Sequence, residues 1–138
     1  KINMYRSDYR LLTTTKGLEI IKKNCKDELL LEKIENADIK NSAGEIVYLG
    51  WNRLNNDRVH DIENLLYELE EQDITYKTAI MGENFDDVST YKYVSSKDKK
   101  GDIPTPDISR VFNDDEINNS LQKIEEKTKL SEFETIEY

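Results

Sequence analysis

Apolar positions along the chain switch between a helical rhythm of about 3.6 residues and the two-residue alternation of strands. Met4 to Thr13 mixes Tyr and Leu with polar residues and predicts a first strand, with Thr13, Thr14 and Thr15 as a helix cap. Leu18, Ile21 and Cys25 then recur at i, i+3 and i+7, the stripe of a helix whose basic end, Lys22, Lys23 and Lys26, suits the helix dipole. Leu29, Leu30, Leu31 and Ile34 predict a second short helix, and Asn41-Ser42-Ala43-Gly44 breaks the pattern. Glu45 to Leu54 carries β-branched and aromatic residues at both parities and predicts a strand buried on both sides.

Asn55-Asn56-Asp57 is a cap cluster ahead of Val59, Ile62, Leu65, Leu66 and Leu69, the strongest helical pattern in the chain. Thr75 to Met81 and Val88 to Ser95 predict two strands joined by a hairpin-like loop from Gly82 to Asp87. Ser96 to Pro106, with three lysines, Gly101 and two prolines, predicts a mobile surface loop. Ile108 to Phe112 reads as a last short strand, and Asn113 with Glu116 opens a final helix striped by Ile117, Leu121 and Ile124. Helices and strands intermix without strict alternation, and the short connection near Gly82 requires antiparallel pairing. The expected class is therefore α+β: a mostly antiparallel sheet with helices packed on it, as a single domain over residues 4–128. Residues 129–138 form an acidic C-terminal tail, and Met4 is a candidate natural start.

Charge changes the picture. Residues 1–60 hold 11 Lys or Arg against 9 Asp or Glu, whereas residues 61–138 hold 9 against 20. The acidic second half disfavours direct nucleic-acid or anionic-membrane binding and would steer the chain toward a basic protein surface. No stretch approaches the ~20 apolar residues of a membrane span. Lysine outnumbers arginine 15 to 5, with 14 Ile, 12 Asn and only 3 Ala, a bias that AT-rich codons produce. A low-GC bacterium or its phage is the expected source, and the cytoplasm the expected compartment. Cys25 is the only cysteine, so an intrachain disulfide and a multi-cysteine zinc site are excluded.

Candidate chemistry is sparse. His60 is the only histidine, which removes every His-pair metal site, and Cys25 reads as a small core residue rather than a nucleophile. Glu83, Asp86 and Asp87 place three acids in one loop, a set that could hold a divalent cation but lacks EF-hand spacing. An acidic turn is the plainer reading, and we expect no metal, cofactor or catalytic residue. Acid-x-lysine triplets at Asp38, Asp98 and Glu125 sit on no confident central strand, and five scattered glycines make no phosphate loop. On the central helix, His60, Asn64, Tyr67 and Glu71 oppose the apolar stripe, with Asp61 and Glu68 on one flank and Glu63 and Glu70 on the other. An ordinary solvated face is one reading. A binding surface anchored by Tyr67 is the other.

Trp51, the helix Val59-x-x-Ile62-Glu63-x-x-Leu66-x-x-Leu69, and the strand Tyr76 to Met81 closing on Gly82-Glu83-Asn84-Phe85-Asp86-Asp87 carry a resemblance. Over roughly residues 45–90 the chain resembles small acidic proteins of phages and mobile elements of low-GC bacteria. That resemblance implies a non-catalytic inhibitor of a host defence protein, anti-CRISPR proteins being one kind. Its partner would be a host protein with a basic surface, such as a nucleic-acid-binding effector. The expected contact residues are Trp51, Asp61, Tyr67, Glu68, Glu71, Glu83, Asp86 and Asp87. Alternatives are an immunity protein or antitoxin for a basic toxin, and a small metal-dependent hydrolase using Glu83, Asp86 and Asp87.

Overall fold

The computed structural model describes residues 5–84, 86–97, 103–108 and 112–136, with side chains as far as Lys129. Met4, where the expected domain begins, lies outside them. The elements run β1 (Arg6–Thr14), α1 (Thr15–Asn24), α2 (Glu28–Glu35), β2 (Ile39–Ala43), β3 (Ile46–Asn55), α3 (Asn56–Glu71), β4 (Tyr76–Gly82), β5 (Val88–Tyr93) and α4 (Asp114–Ile136). The strands form one antiparallel sheet in the order β2-β3-β1-β4-β5, so the chain is the α+β domain its pattern predicts. Helices cover both faces. α1, α2 and α3 bury Ile21, Ile34, Ile62 and Leu69 against Tyr9, Leu11, Val47, Leu49 and Trp51 on one face. On the other, Ile117 and Leu121 of α4 pack with Leu12, Ala43, Ile46, Tyr48 and Ile103. Sandwiched between these layers, β1 and the first six residues of β3 are almost wholly buried, which is why both parities of β3 are apolar.

One irregularity organises the central strands. Ser7 pairs with Leu54 but Tyr9 with Trp51, so Asn52 and Arg53 both face Asp8 in a β-bulge. Arg53 adopts φ 58°, and its N–H donates to the Asp8 carboxylate at 2.8 Å. The extra residue resets the alternation, so that Trp51 and Leu54 both reach the same core despite their odd separation. On the opposite face Arg10 is buried at 4% exposure, across from Gly50, where a Cβ would lie 2.8 Å from its Cδ. Its guanidinium lies over the Phe112 ring and donates to Asp114, Asn52 and the carbonyls of Tyr9 and Trp51. Asp114 opens α4 and also accepts from the Tyr48 hydroxyl at 2.5 Å, so this network seats α4 on the sheet.

Several sequence expectations change. Asn41 to Ala43 is strand rather than breaker, because β2 borrows its order from β3 through a two-residue turn at Gly44, φ 58°. Cys25 caps α1 rather than lying within it, and there, half-buried, it packs against the core as expected. Ile108 and Phe112 form only an isolated bridge, residues 109–111 lying outside the described set. Residues 98–102 of the expected mobile loop also lie outside it, while its far end is anchored: Ile103 is buried and its carbonyl accepts from the buried Lys77 ammonium at 2.6 Å. The domain boundary expected at residue 129 falls within α4, which continues to Ile136.

Candidate functional site

α3 packs on α1, β1 and β3, and the turn that follows it brings its C-terminal end beside the start of β4, where the expected contact residues meet new ones. Tyr67 stands 64% exposed on the outward face, with Glu68 and Glu71 exposed beside it. Glu68 accepts from Gln72 at 2.9 Å. Glu70 turns toward the sheet, where one carboxylate oxygen accepts from Tyr76 at 2.6 Å and the other from Tyr91 at 3.3 Å. The Tyr76 ring lies 5.8 Å from that of Tyr91 and 6.3 Å from that of Tyr93. Tyr93 donates to Asp73 at 2.7 Å, and Asp73 also accepts from the Ser96 hydroxyl at 2.6 Å. β5 is the edge strand and exposes Tyr91 at 54%, since among the described residues no helix covers that edge of the sheet. Tyr91 thus reaches Glu70 directly, and Tyr67 stands one helical turn before Glu70 on α3.

Protonation follows from this geometry. Burial first, then the Glu70 carboxylate, pushes the Tyr76 phenol well above its ordinary range, and Asp73 does the same to Tyr93. The hydroxyls of Ser96 and Tyr93 hold Asp73 below the usual carboxylate range. These phenols stay protonated donors and Asp73 stays an anionic acceptor across neutral pH. The arrangement suits recognition of cations: carboxylates supply charge, and exposed tyrosine faces accept an ammonium or guanidinium.

The other expected residues distribute differently. Trp51 is 3% exposed, stacked on Tyr9 with its indole N–H donating to the Lys33 carbonyl at 2.8 Å, so it is a core residue rather than an exposed anchor. Asp61 is half-buried and lies 3.4 Å from Arg58, which also pairs with Asp27 at 2.6 Å. Glu83, Asp86 and Asp87 are exposed at the far end of β4, beside the start of α3, so they and Tyr67 sit about three helical turns apart. Two of these acids serve the loop itself. Asp87 accepts from the Tyr5 hydroxyl and Glu83 from the Arg6 amide. Among the described residues no group of three His, Cys, Asp or Glu could hold a metal ion, and no helix is long and apolar enough to cross a membrane.

Sequence reasoning missed the tyrosines of β4 and β5. Tyr91 and Tyr93 share a strand face at i, i+2, which was legible, but their meeting with Tyr76 and Glu70 needs the β4–β5 register. Two clefts were equally hidden. One, about 930 Å³, is floored by Ile46, Ile74 and Ile103 between α1 and α4, and the other, about 260 Å³, opens at the bulged end of β3. Comparison with known proteins found no matching family model, no similar curated protein and no similar solved structure.

Proposed function

We propose that this chain is a non-catalytic binding protein whose acidic tyrosine face, built from the C-terminal half of α3 and from β5, engages a basic protein surface. The particular form we propose is inhibition of a host defence effector that itself handles nucleic acid. The observation that carries the reading is the pair Tyr67 and Tyr91, more than half exposed at 64% and 54%, the second bonded to Glu70 and the first one helical turn before it. Exposed tyrosines of this kind are favoured interface anchors, and carboxylates around them accelerate encounter with a cationic partner. Glu68 and Glu71 supply the long-range field, while Glu70 holds Tyr91 in place and thereby lowers the ordering cost of binding. The acids at Glu83 and Asp87 are partly occupied by Tyr5 and Arg6, which makes that loop a secondary contact at most.

The test is capture on immobilised protein from a low-GC bacterial lysate at low salt, followed by affinity measurement with the captured effector and its nucleic-acid activity. Tyr67→Ala should weaken the complex by tenfold or more, and Glu68→Lys with Glu71→Lys should slow association. Both variants should keep the parent's stability within about 0.5 kcal/mol, since these positions face water. Equal affinity and equal association rates for parent and variants would place the functional surface elsewhere.

A further inference from the structure

A basic pocket lies within this acidic protein, away from the tyrosine face. The 260 Å³ cleft at the bulged end of β3 is walled by Arg6, Lys33, Asp38, Trp51, Arg53 and Arg58, four cations against one carboxylate. Arg58 is committed to Asp27 and Asp61. The Arg6 guanidinium reaches only the Arg53 carbonyl, at 3.3 Å, and among the described residues neither Lys33 Nζ nor the Arg53 guanidinium meets an acceptor. Within the lining Asp38 is set against the other three, an excess of two positive charges, while the carboxylates of Asp8 and Glu83 lie outside the lining and accept from the amides of Arg53 and Arg6. One of the lining cations, Arg53, is also strained: it sits at φ 58°, a conformation that non-glycine residues adopt at a cost and that concentrates at binding sites. β1, α2, β3 and α3 each contribute a cation, so tertiary structure alone assembles the set.

We propose that this pocket binds the phosphate group of a small phosphate monoester. A monoester carries a charge of about −1.5 to −2 at neutral pH, which matches the lining's excess of two, and a guanidinium fork fits its oxygens in a way that a lone ammonium cannot. A monoanionic carboxylate would leave one charge over. The volume lies just under the usual small-molecule range, which suits a phosphate with a short organic group rather than a whole dinucleotide.

Amide chemical shifts of the full chain should be followed while titrating inorganic phosphate, glycerol phosphate and acetate at constant ionic strength. Saturable shifts confined to the residues around Asn36, Asn52, Arg53 and Asn55 are expected for both phosphates, with glycerol phosphate at least as tight as the free ion, and none for acetate. Arg53→Gly should weaken binding tenfold or more without lowering the melting temperature, because glycine adopts φ 58° freely. Lys33→Ala, an exposed helical position, should weaken it comparably and serves as an independent arm if the first variant misfolds. Non-saturating shifts, equal response to acetate, free phosphate bound more tightly than the ester, or parental affinity in a folded variant would each overturn the proposal.

Discussion

Removing Asp114 should loosen α4 from the sheet, and removing both members of its ion pair should cost much less than the sum of the single changes. Arg10 is 4% exposed at its side chain and Asp114 30%. In Asp114→Ala, Arg10 loses acceptors at 3.1 and 3.3 Å and Tyr48 loses one at 2.5 Å. Breaking a fully buried pair costs about 3–5 kcal/mol. Arg10 keeps Asn52, two backbone carbonyls and the Phe112 ring, and water reaches the vacated side, so about 2–3 kcal/mol is the expected loss. Arg10→Met should cost only about 1 kcal/mol, since Asp114 can rehydrate and remains favourable in the first turn of a helix. The double variant should fall near the Arg10→Met value, a coupling of about 2 kcal/mol. Urea unfolding of the four proteins supplies the cycle, and amide exchange in α4 locates the loss. An Asp114→Ala effect below about 0.5 kcal/mol, or strictly additive losses, would refute the claim that this network seats α4.

Gly17→Ala sets helix propensity against space. Alanine gains about 1 kcal/mol in a helix interior, but its Cβ would collide with Thr13 Oγ1 and press on Ile74 and Leu69, so a net destabilisation of about 1–2 kcal/mol is expected, and a raised melting temperature would contradict it. Stability should be flat through neutral pH and fall at both extremes. Asp27 is held low chiefly by Arg58, Asp73 by Ser96, and Asp114 by Arg10 and Tyr48, whose hydrogen bonds outweigh the desolvation that would raise it. Depressed carboxylates contribute fully above the unfolded value of about 3.9, and that contribution drains away as pH falls through their lower folded values. Tyr9, Tyr48 and Tyr76, raised first by burial, and Tyr93, raised first by Asp73, contribute below about pH 10 and lose that contribution above it. Urea midpoints from pH 2 to 11 test both limbs, and a midpoint that improves below pH 4 or above pH 10 would refute the assignment.

The spacing of Val59, Ile62, Leu66 and Leu69 was enough to determine α3, its buried side and the outward place of Tyr67, because a helix's faces follow from local geometry alone. The double-parity apolar run of β3 likewise determined a strand covered on both sides, and the turn at Gly82 an antiparallel pairing. β2 could not be read this way. Lys40, Asn41 and Ser42 have no strand pattern of their own and pair only because β3 lies beside them. Trp51 looked available for contact, but it continues the face of Val47 and Leu49 into the core, and the bulge opposite Asp8 returns Leu54 to that same side. Nothing local to Arg10 marks it for burial, since its partner Asp114 lies 104 residues away. Net charge by halves was legible, but the convergence of Arg6, Lys33, Arg53 and Arg58 was not, nor was that of Glu70 with Tyr76 and Tyr91. Periodicity records which side of an element faces inward, whereas which elements become neighbours is settled by register, bulges and the choice of sheet face, all of them long-range packing decisions.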